Sequence, residues 1–191
     1  MGKFRANYLI TMKDIVRDGH KLLHQPTREV PLPLSEEDRE TLICMMQFLK
    51  NSQDPKLSQQ YKLRAGVGLS ANQIGLDKRM FVAYFQDEQG LEHEYTLVNP
   101  RLVSHSVSMV FLPQGEGCLS VDRDIPGIVP RYERVRVKGY NLEGDEIELK
   151  LKGYASIVIQ HELDHLDGIM FYERINREDP FRVPDNCRSL T

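Results

Sequence analysis

The stretch that most constrains this chain is the hexapeptide Gln-His-Glu-Leu-Asp-His at residues 160–165. Its pattern, H-E-x-x-H, places two histidines four residues apart, so that on a helix they lie one turn apart on the same face. The imidazoles of His161 and His165 can then reach one metal ion. Glu162 follows the first histidine, where its carboxylate can reach a water at the metal but not easily the metal itself. This arrangement is typical of a metallohydrolase, which needs ligands, a general base and an open coordination position.

The flanking sequence predicts that this hexapeptide lies on a buried helix. An apolar segment, residues 155–159, leads into it, and Gly168 follows as a C-terminal stop signal. A helix that is apolar on several sides is usually a central one. Burying two histidines and a glutamate costs free energy unless a metal compensates. The alternative is a surface helix whose histidines fall four residues apart by chance.

Composition and charge limit the function classes that are open to this chain. It has 191 residues, of which 40% are hydrophobic, and a formal net charge of −3. The length predicts one domain over residues 1–191 with a sizeable core. The part of this domain after about residue 180 is predicted to be a polar, loosely held tail. The near-neutral charge gives no footprint for nucleic acid or an anionic membrane. No apolar run is long enough for a membrane span or a signal peptide.

The cysteines Cys44, Cys118 and Cys187 are odd in number, and their spacing forms no disulfide framework. A reducing, cytoplasmic setting is therefore the simpler interpretation. Cys44 falls in an apolar helical pattern and is predicted to be a small core residue. Cys187 lies in the polar tail and is predicted to be exposed.

The order of the predicted elements indicates an α+β fold. Residues 36–50 carry apolar side chains at helical spacing behind an acidic N-terminal signal, and a second short helix follows at residues 55–61. Short strands, mostly joined by antiparallel hairpins, are predicted at residues 78–85, 93–98, 102–107, 108–112, 134–140 and 146–151. The metal helix comes next, and a last strand is predicted at residues 169–172. We therefore expect N-terminal helices and short antiparallel sheets packed around a central metal-binding helix.

Two histidines make an incomplete site, because a catalytic zinc-type centre usually has three protein ligands. The acids downstream of the helix do not form a convincing further helix that could supply the third; they are Asp167, Glu173, Glu178 and Asp179. Cys118 is the upstream alternative, at a point where a strand edge could face the helix. One thiolate and two imidazoles form a soft donor set that suits zinc or ferrous iron.

Three motifs taken together resemble those of the peptide deformylases. Residues 116–120, Glu-Gly-Cys-Leu-Ser, match the family's E-G-C-L-S motif, and residues 160–165 match its Q-H-E-x-D-H motif. Residues 66–73, Gly-Val-Gly-Leu-Ser-Ala-Asn-Gln, are similar to its G-x-G-x-A-A-x-Q motif. The resemblance covers nearly the whole chain, which looks like the longer bacterial class. Ser70 departs from the pattern, because the family usually has alanine there; it is either tolerated or a mark of altered activity.

The resemblance implies a metal-dependent hydrolase that removes the formyl group from the N-terminal formyl-methionine of new polypeptides. Cys118, His161 and His165 would hold one divalent cation, natively Fe²⁺, with Zn²⁺, Ni²⁺ or Co²⁺ as possible substitutes. Glu162 would take a proton from the attacking water and later deliver it to the leaving amine. Asp164 would orient a ligand or hold the helix in place.

The resemblance also implies how the substrate is held. The side-chain amide of Gln73 and the backbone N–H of Leu119 would donate to the oxyanion, and loss of one such donor typically costs about 3 kcal/mol of barrier. The Gly68 peptide unit would pair with the substrate main chain, which the neighbouring glycines would allow to come close. Arg123 and Arg131 are candidates for a substrate carbonyl or carboxylate. The residues expected around the substrate are Gly66, Val67, Gly68, Gly117, Tyr154, Ile157 and Val158.

Two other functions remain open from the sequence. A zinc peptidase of the H-E-x-x-H type would share the Glu162 chemistry but would cleave acetylated or unmodified peptides internally. A catalytically weakened deformylase relative is kept open by Ser70. The expected partners are formyl-methionyl nascent polypeptides, with ribosome association open, no nucleic acid and no membrane, and the protein is expected to be a monomer.

Overall fold

The computed structural model describes residues 2–5, 7–87 and 90–190. Within these ranges the α-helices are α1 (Glu36–Gln53), α2 (Pro55–Tyr61) and α3 (Gly153–Leu166). The strands are β1 (Gly68–Ser70), β2 (Met80–Gln86), β3 (Glu92–His105), β4 (Met109–Phe111), β5 (Arg131–Tyr132), β6 (Arg134–Tyr140), β7 (Glu146–Lys152) and β8 (Cys187–Ser189). Short 3₁₀-helices lie at Lys21–His24, Ala71–Ile74 and Phe171–Arg174.

The strands form two sheets. The larger sheet has the order β1-β2-β3-β6-β7 and is antiparallel throughout, and β1 lies at its edge. The smaller sheet has the order β5-β4-β8, in which β4 runs parallel to β8. Helix α3 packs on the larger sheet, where its Val158 and Ile159 are buried with Phe81 and Val137. The predicted α+β fold, with mostly antiparallel sheets packed on the H-E-x-x-H helix, is confirmed.

Helix α1 supports the segment of chain that leads to β1. Its first turn is capped by Ser35, whose hydroxyl oxygen accepts the backbone N–H of Asp38. Its apolar face is buried against β1 and β2, and full burial of each large apolar side chain contributes about 1.5–3 kcal/mol. At its C-terminal end the Gln53 amide donates to the carbonyl oxygens of Gly66 and Tyr84, each at 2.8 Å. The helix end therefore fixes the backbone immediately before β1.

The structure differs from the predicted strands in two places. Residues 169–172 do not form a strand, because the chain turns into the 3₁₀-helix Phe171–Arg174. The strands predicted on either side of Asn99 are one continuous strand, β3, in which a register shift absorbs the irregularity. Asn99 adopts φ +50°, and its side chain exchanges two hydrogen bonds with the backbone of Val30. This distant contact, which the local sequence does not encode, keeps the strand intact.

The structure holds part of the predicted loose tail in the fold. Residues 187–189 form β8, which pairs with β4, and the Leu190 N–H donates to the Phe111 carbonyl at 2.8 Å. The prediction that Cys187 is exposed is wrong, because its side chain is buried beside β4. Cys44 is buried as predicted. Among the residues described, no helix combines the length and the apolar character needed to cross a membrane.

Candidate metal centre

The predicted ligands meet at one point although they come from distant parts of the chain. Helix α3 presents His161 and His165 one turn apart, and Cys118 lies in the loop between β4 and β5. Their ligand atoms all lie within 4.8 Å of one another, and Cys118 Sγ is 3.2 Å from His165 Nε2. His165 is 1% exposed and Cys118 is 7% exposed.

The chemistry of these three side chains fits a divalent transition metal. A thiolate with two imidazoles is a donor set that suits zinc or iron. Burial, reinforced by the positive charges of His161 and Arg131, lowers the pKa of His165 well below its ordinary value. His165 is therefore a neutral imidazole at neutral pH, which is the form that binds a metal.

A buried chain of charges orients the first histidine. Glu116 Oε2 lies 2.8 Å from His161 Nδ1, and the same carboxylate accepts two hydrogen bonds of 2.8 Å from Arg131. Arg131 also donates to Asp164, which binds Arg174 in turn. With Nδ1 of His161 held by a carboxylate, Nε2 is left to face the metal position.

The electrostatics keep Glu116 ionised in this buried chain. Burial alone would raise the pKa of Glu116, but the charge and hydrogen bonds of Arg131, followed by those of His161, lower it to about 2. Burial lowers the pKa of His161, and hydrogen bonds to Cys118 and Glu116 raise it above its ordinary value. A cation at Nε2 would displace the second proton, because imidazole binds metal in its neutral form.

Arg131 does not have the role expected from the sequence. It is 1% exposed and lies between Glu116 and Asp164, so it cannot meet a substrate. The pairing of Glu116 with His161 was not expected from the sequence. The signal was present, because Glu116 opens the same motif that supplies Cys118. Asp164 binds two arginines, which agrees with its expected part in holding the helix.

Glu162 is buried beside the metal position. It is 3% exposed, and Oε2 has no hydrogen-bond partner within the described chain. Burial raises its pKa to about 7, although the nearby positive charges of His161 and Arg131 oppose the rise. A carboxyl group with a pKa near neutrality can both accept and return a proton.

Gln73 is held at both ends of its amide group. Its Oε1 accepts the backbone N–H and the hydroxyl of Ser70, each at 3.0 Å. Its Nε2 then faces Cys118 Sγ at 3.4 Å and Ser120 Oγ at 3.2 Å. Because both donors of Ser70 fix the carbonyl end, the NH₂ group points toward the centre. The unusual serine therefore supports Gln73 in the structure.

One cleft of about 270 Å³ contains most of the residues that the sequence singled out. The residues outside its lining are Ser70, Arg123, Arg131, Asp164 and His165. The cleft is lined by Gly66, Val67, Gly68, Gln73, Gly117, Cys118, Leu119, Tyr154, Ile157, Val158, His161 and Glu162, together with Arg64, Ala65, Leu112, Gly115 and Glu116.

The two glycines of the first motif make room for protein side chains. A Cβ on Gly68 would lie 2.1 Å from Glu162 Oε1, and a Cβ on Gly66 would lie 2.8 Å from Leu119 Cδ1. The backbone of Gly66 is already engaged, since its N–H donates to Ser52 Oγ and its carbonyl accepts from Gln53. The sequence predicted that both glycines let a substrate approach the backbone. The structure adds a second reason for glycine at these positions, which is that each leaves room for a side chain of the protein itself.

The main-chain groups of Gly68 face away from the sheet. The carbonyl of Val67 accepts the N–H of Tyr84 at 2.9 Å, and Gly68 stands opposite Ala83 in the antiparallel register. Alternate residues of an antiparallel strand point their polar groups to opposite sides. Those of Gly68 therefore point to the free edge of β1, which borders the cleft.

What this fold and this centre define together is a metal-dependent hydrolase, with a buried carboxyl group beside the metal position. The chain matches the family model of polypeptide deformylase over residues 12–181, and it belongs to that family. Metal-dependent removal of the formyl group from nascent peptides is the activity of the family.

Named relatives and solved structures agree with this assignment. The chain is 54% identical to peptide deformylase 2 of Geobacillus stearothermophilus, with 94% of this chain and 97% of the relative covered. It is 52% identical to peptide deformylase 2 of Bacillus subtilis, with 95% and 99% covered. A crystal structure of a class I type b peptide deformylase from Acinetobacter baumannii superposes with a TM-score of 0.71 at 29% identity, covering 88% of this chain and 100% of that one.

Proposed function

We propose that Cys118, His161 and His165 hold the metal ion of this deformylase, and that the native ion is Fe²⁺. The clustering of these three ligand atoms within 4.8 Å of one another is the observation that carries the proposal. Zn²⁺, Ni²⁺ or Co²⁺ would suit the same donors. When bound, the cation polarises the formyl carbonyl and lowers the pKa of a water to about 7.

Glu162 moves the protons of the reaction. Its carboxylate takes a proton from the attacking water and returns it to the nitrogen of the methionine as the C–N bond breaks. A pKa raised by burial to about 7 favours both steps, and the bound cation would lower that value so that the group starts as a base.

Two N–H donors stabilise the negative charge that forms on the formyl oxygen. The first is Nε2 of Gln73, which Ser70 turns toward the centre. The second is the backbone N–H of Leu119, the residue after the cysteine ligand. Fixed donors of this kind act without reorganisation at the moment of reaction.

The cleft selects the beginning of a polypeptide chain. Val67, Tyr154, Ile157 and Val158 give it an apolar wall for the methionine side chain. The outward-facing polar groups of Gly68 pair with the substrate main chain, in the manner of a strand added to a sheet edge. The formyl group is small, so a larger acyl group would not reach the same position.

We infer that residues 1–191 act as one domain and as a cytoplasmic monomer, because formyl-methionyl chains arise where proteins are made. Contact with ribosomes would bring the enzyme to these substrates as they emerge.

The test is formate release from a short formyl-methionyl peptide, using protein purified without oxygen. The same peptide carrying an acetyl group is the control. We expect rapid release from the formyl peptide alone, which would also show that Ser70 is compatible with activity. No release by protein with a full complement of metal would refute the proposal. Internal cleavage of either peptide would instead support a zinc peptidase.

A further inference from the structure

We propose that Arg64 is a positioning residue for the oxyanion-binding peptide formed by Cys118 and Leu119. The inference rests on the proposed function, in which the Leu119 N–H donates to the developing negative charge. Arg64 lies outside the three family motifs, two residues before the first of them. It lines the same cleft as Leu119.

The guanidinium group of Arg64 binds the backbone of the loop that carries Cys118. Its Nη2 donates to the carbonyl oxygens of Cys118 at 3.1 Å and Val121 at 3.0 Å. Its Nη1 donates to Asp122 Oδ1 at 2.9 Å and, at the longer distance of 3.5 Å, to the carbonyl oxygen of Leu119. A planar group with several fixed donors can hold these four acceptors of one loop in a defined arrangement.

The carbonyl of Cys118 and the N–H of Leu119 belong to one peptide group. In a planar trans peptide the C=O and N–H bonds point in opposite directions. Because Arg64 holds the carbonyl, the Leu119 N–H points away from Arg64, and no described residue accepts a hydrogen bond from it. A charged donor on the carbonyl also polarises the peptide, which strengthens its N–H as a donor.

Arg17 provides a matched comparison on the same loop. Its Nη1 donates to the Leu119 carbonyl at 3.0 Å, and its Nε pairs with Asp122 at 3.1 Å. It is similarly exposed, at 39% against 44% for Arg64. The Leu119 carbonyl, which Arg64 reaches only at 3.5 Å, belongs to the next peptide group, whose N–H is that of Ser120. Loss of Arg17 therefore loosens the loop without releasing the oxyanion-binding peptide.

The experiment compares Arg64→Gln, Arg64→Lys and Arg17→Gln in the metal-loaded enzyme. Formate release gives kcat and KM, and metal content and Tm are measured on the same samples. We expect Arg64→Gln to lower kcat about tenfold with KM nearly unchanged, which is less than the loss of a whole oxyanion donor. Arg64→Lys keeps the charge but loses the fork, so its kcat should lie between those of Arg64→Gln and the wild type. Arg17→Gln should change kcat by less than about twofold.

Two results would overturn the inference while leaving the proposed function intact. One is a wild-type kcat for Arg64→Gln. The other is an equal loss of kcat in Arg64→Gln and Arg17→Gln that follows their metal content or Tm, since a purely structural role would give that pattern. Failure of the wild-type enzyme to release formate would overturn the proposed function, and the inference with it.

Discussion

Replacing Gly68 with alanine should disable the proposed general base, Glu162, although Glu162 itself is not substituted. The new Cβ would lie 2.1 Å from Glu162 Oε1 and 2.5 Å from its Cδ, whereas ordinary contacts begin at 3.4 Å. Glu162 is buried and must retreat by about 1 Å, a displacement that can cost about 10²-fold in rate. We therefore expect kcat for formate release to fall about 10²-fold in Gly68→Ala.

The assay is steady-state formate release, with the Gly66→Ala variant as a comparison. There the new Cβ would meet the far end of the Leu119 side chain at 2.8 Å, which can shift, so the loss should be smaller. A double-mutant cycle with Glu162→Ala identifies the cause. If Gly68→Ala acts through Glu162, adding it to Glu162→Ala should produce no further loss of kcat.

Equal losses in Gly68→Ala and Gly66→Ala would refute this reasoning. So would a Gly68→Ala effect that is undiminished in the Glu162→Ala background, because the substitution would then be acting on the substrate or the fold. Metal content measured on each variant separates these outcomes from simple loss of the centre.

Other perturbations test the remaining parts of the centre. Cys118→Ala should lose both bound metal and activity, and elemental analysis showing full occupancy with a wild-type rate would contradict its place as a ligand. Arg131→Met should reduce the free energy of unfolding by about 3–5 kcal/mol, because it leaves the Glu116 and Asp164 carboxylates buried without their shared partner; denaturant titration measures this. In metal-free protein, burial raises the pKa of Glu162 from 4.5 to about 7 in the folded state. The free energy of unfolding therefore has its full value below pH 4.5 and falls as the pH rises through 7, because the folded state resists loss of this proton. Glu162→Gln should therefore remove a destabilisation of about 3 kcal/mol at pH 8, and equal pH profiles for the two proteins would count against a buried carboxyl. Peroxide should abolish activity by oxidising the Cys118 thiolate, in parallel with loss of thiol titre.

The parts of the fold that the sequence predicted well are those fixed by local pattern. Strands β6 and β7 alternate apolar and polar residues around a turn, and helix α1 has a capping serine with apolar residues at helical spacing. The strand through Asn99 was divided in the prediction because a register shift and a bond to Val30 depend on tertiary contacts. Residues 169–172, Ile-Met-Phe-Tyr, are apolar and aromatic like a strand, yet the fold places the last two of them in the 3₁₀-helix Phe171–Arg174.

The candidate site divides in the same way. The meeting of Cys118, His161, His165 and Glu162 at one place was predictable, because metal chemistry demands particular residue types at particular spacings. The partners that orient them were not, because Arg131 is 15 residues from Glu116 and 33 residues from Asp164. Nothing in the local sequence marks a buried arginine, and Arg131 was expected instead to meet a substrate carbonyl or carboxylate. The hydroxyl of Ser70 was likewise visible in the sequence, but its bond to Gln73 required the turn to be seen.

The position of β1 bears on which polypeptides such an enzyme can process. A peptide lying along its free edge would extend the sheet by one strand, and that pairing is made through amide groups that every residue possesses. Such a contact depends on an extended main chain and not on the identity of its side chains. Side-chain discrimination is then confined to the apolar wall at the first residue. An enzyme built in this way would accept most polypeptides of a proteome as substrates, because it would recognise the side chain of the first residue and only the main chain beyond it.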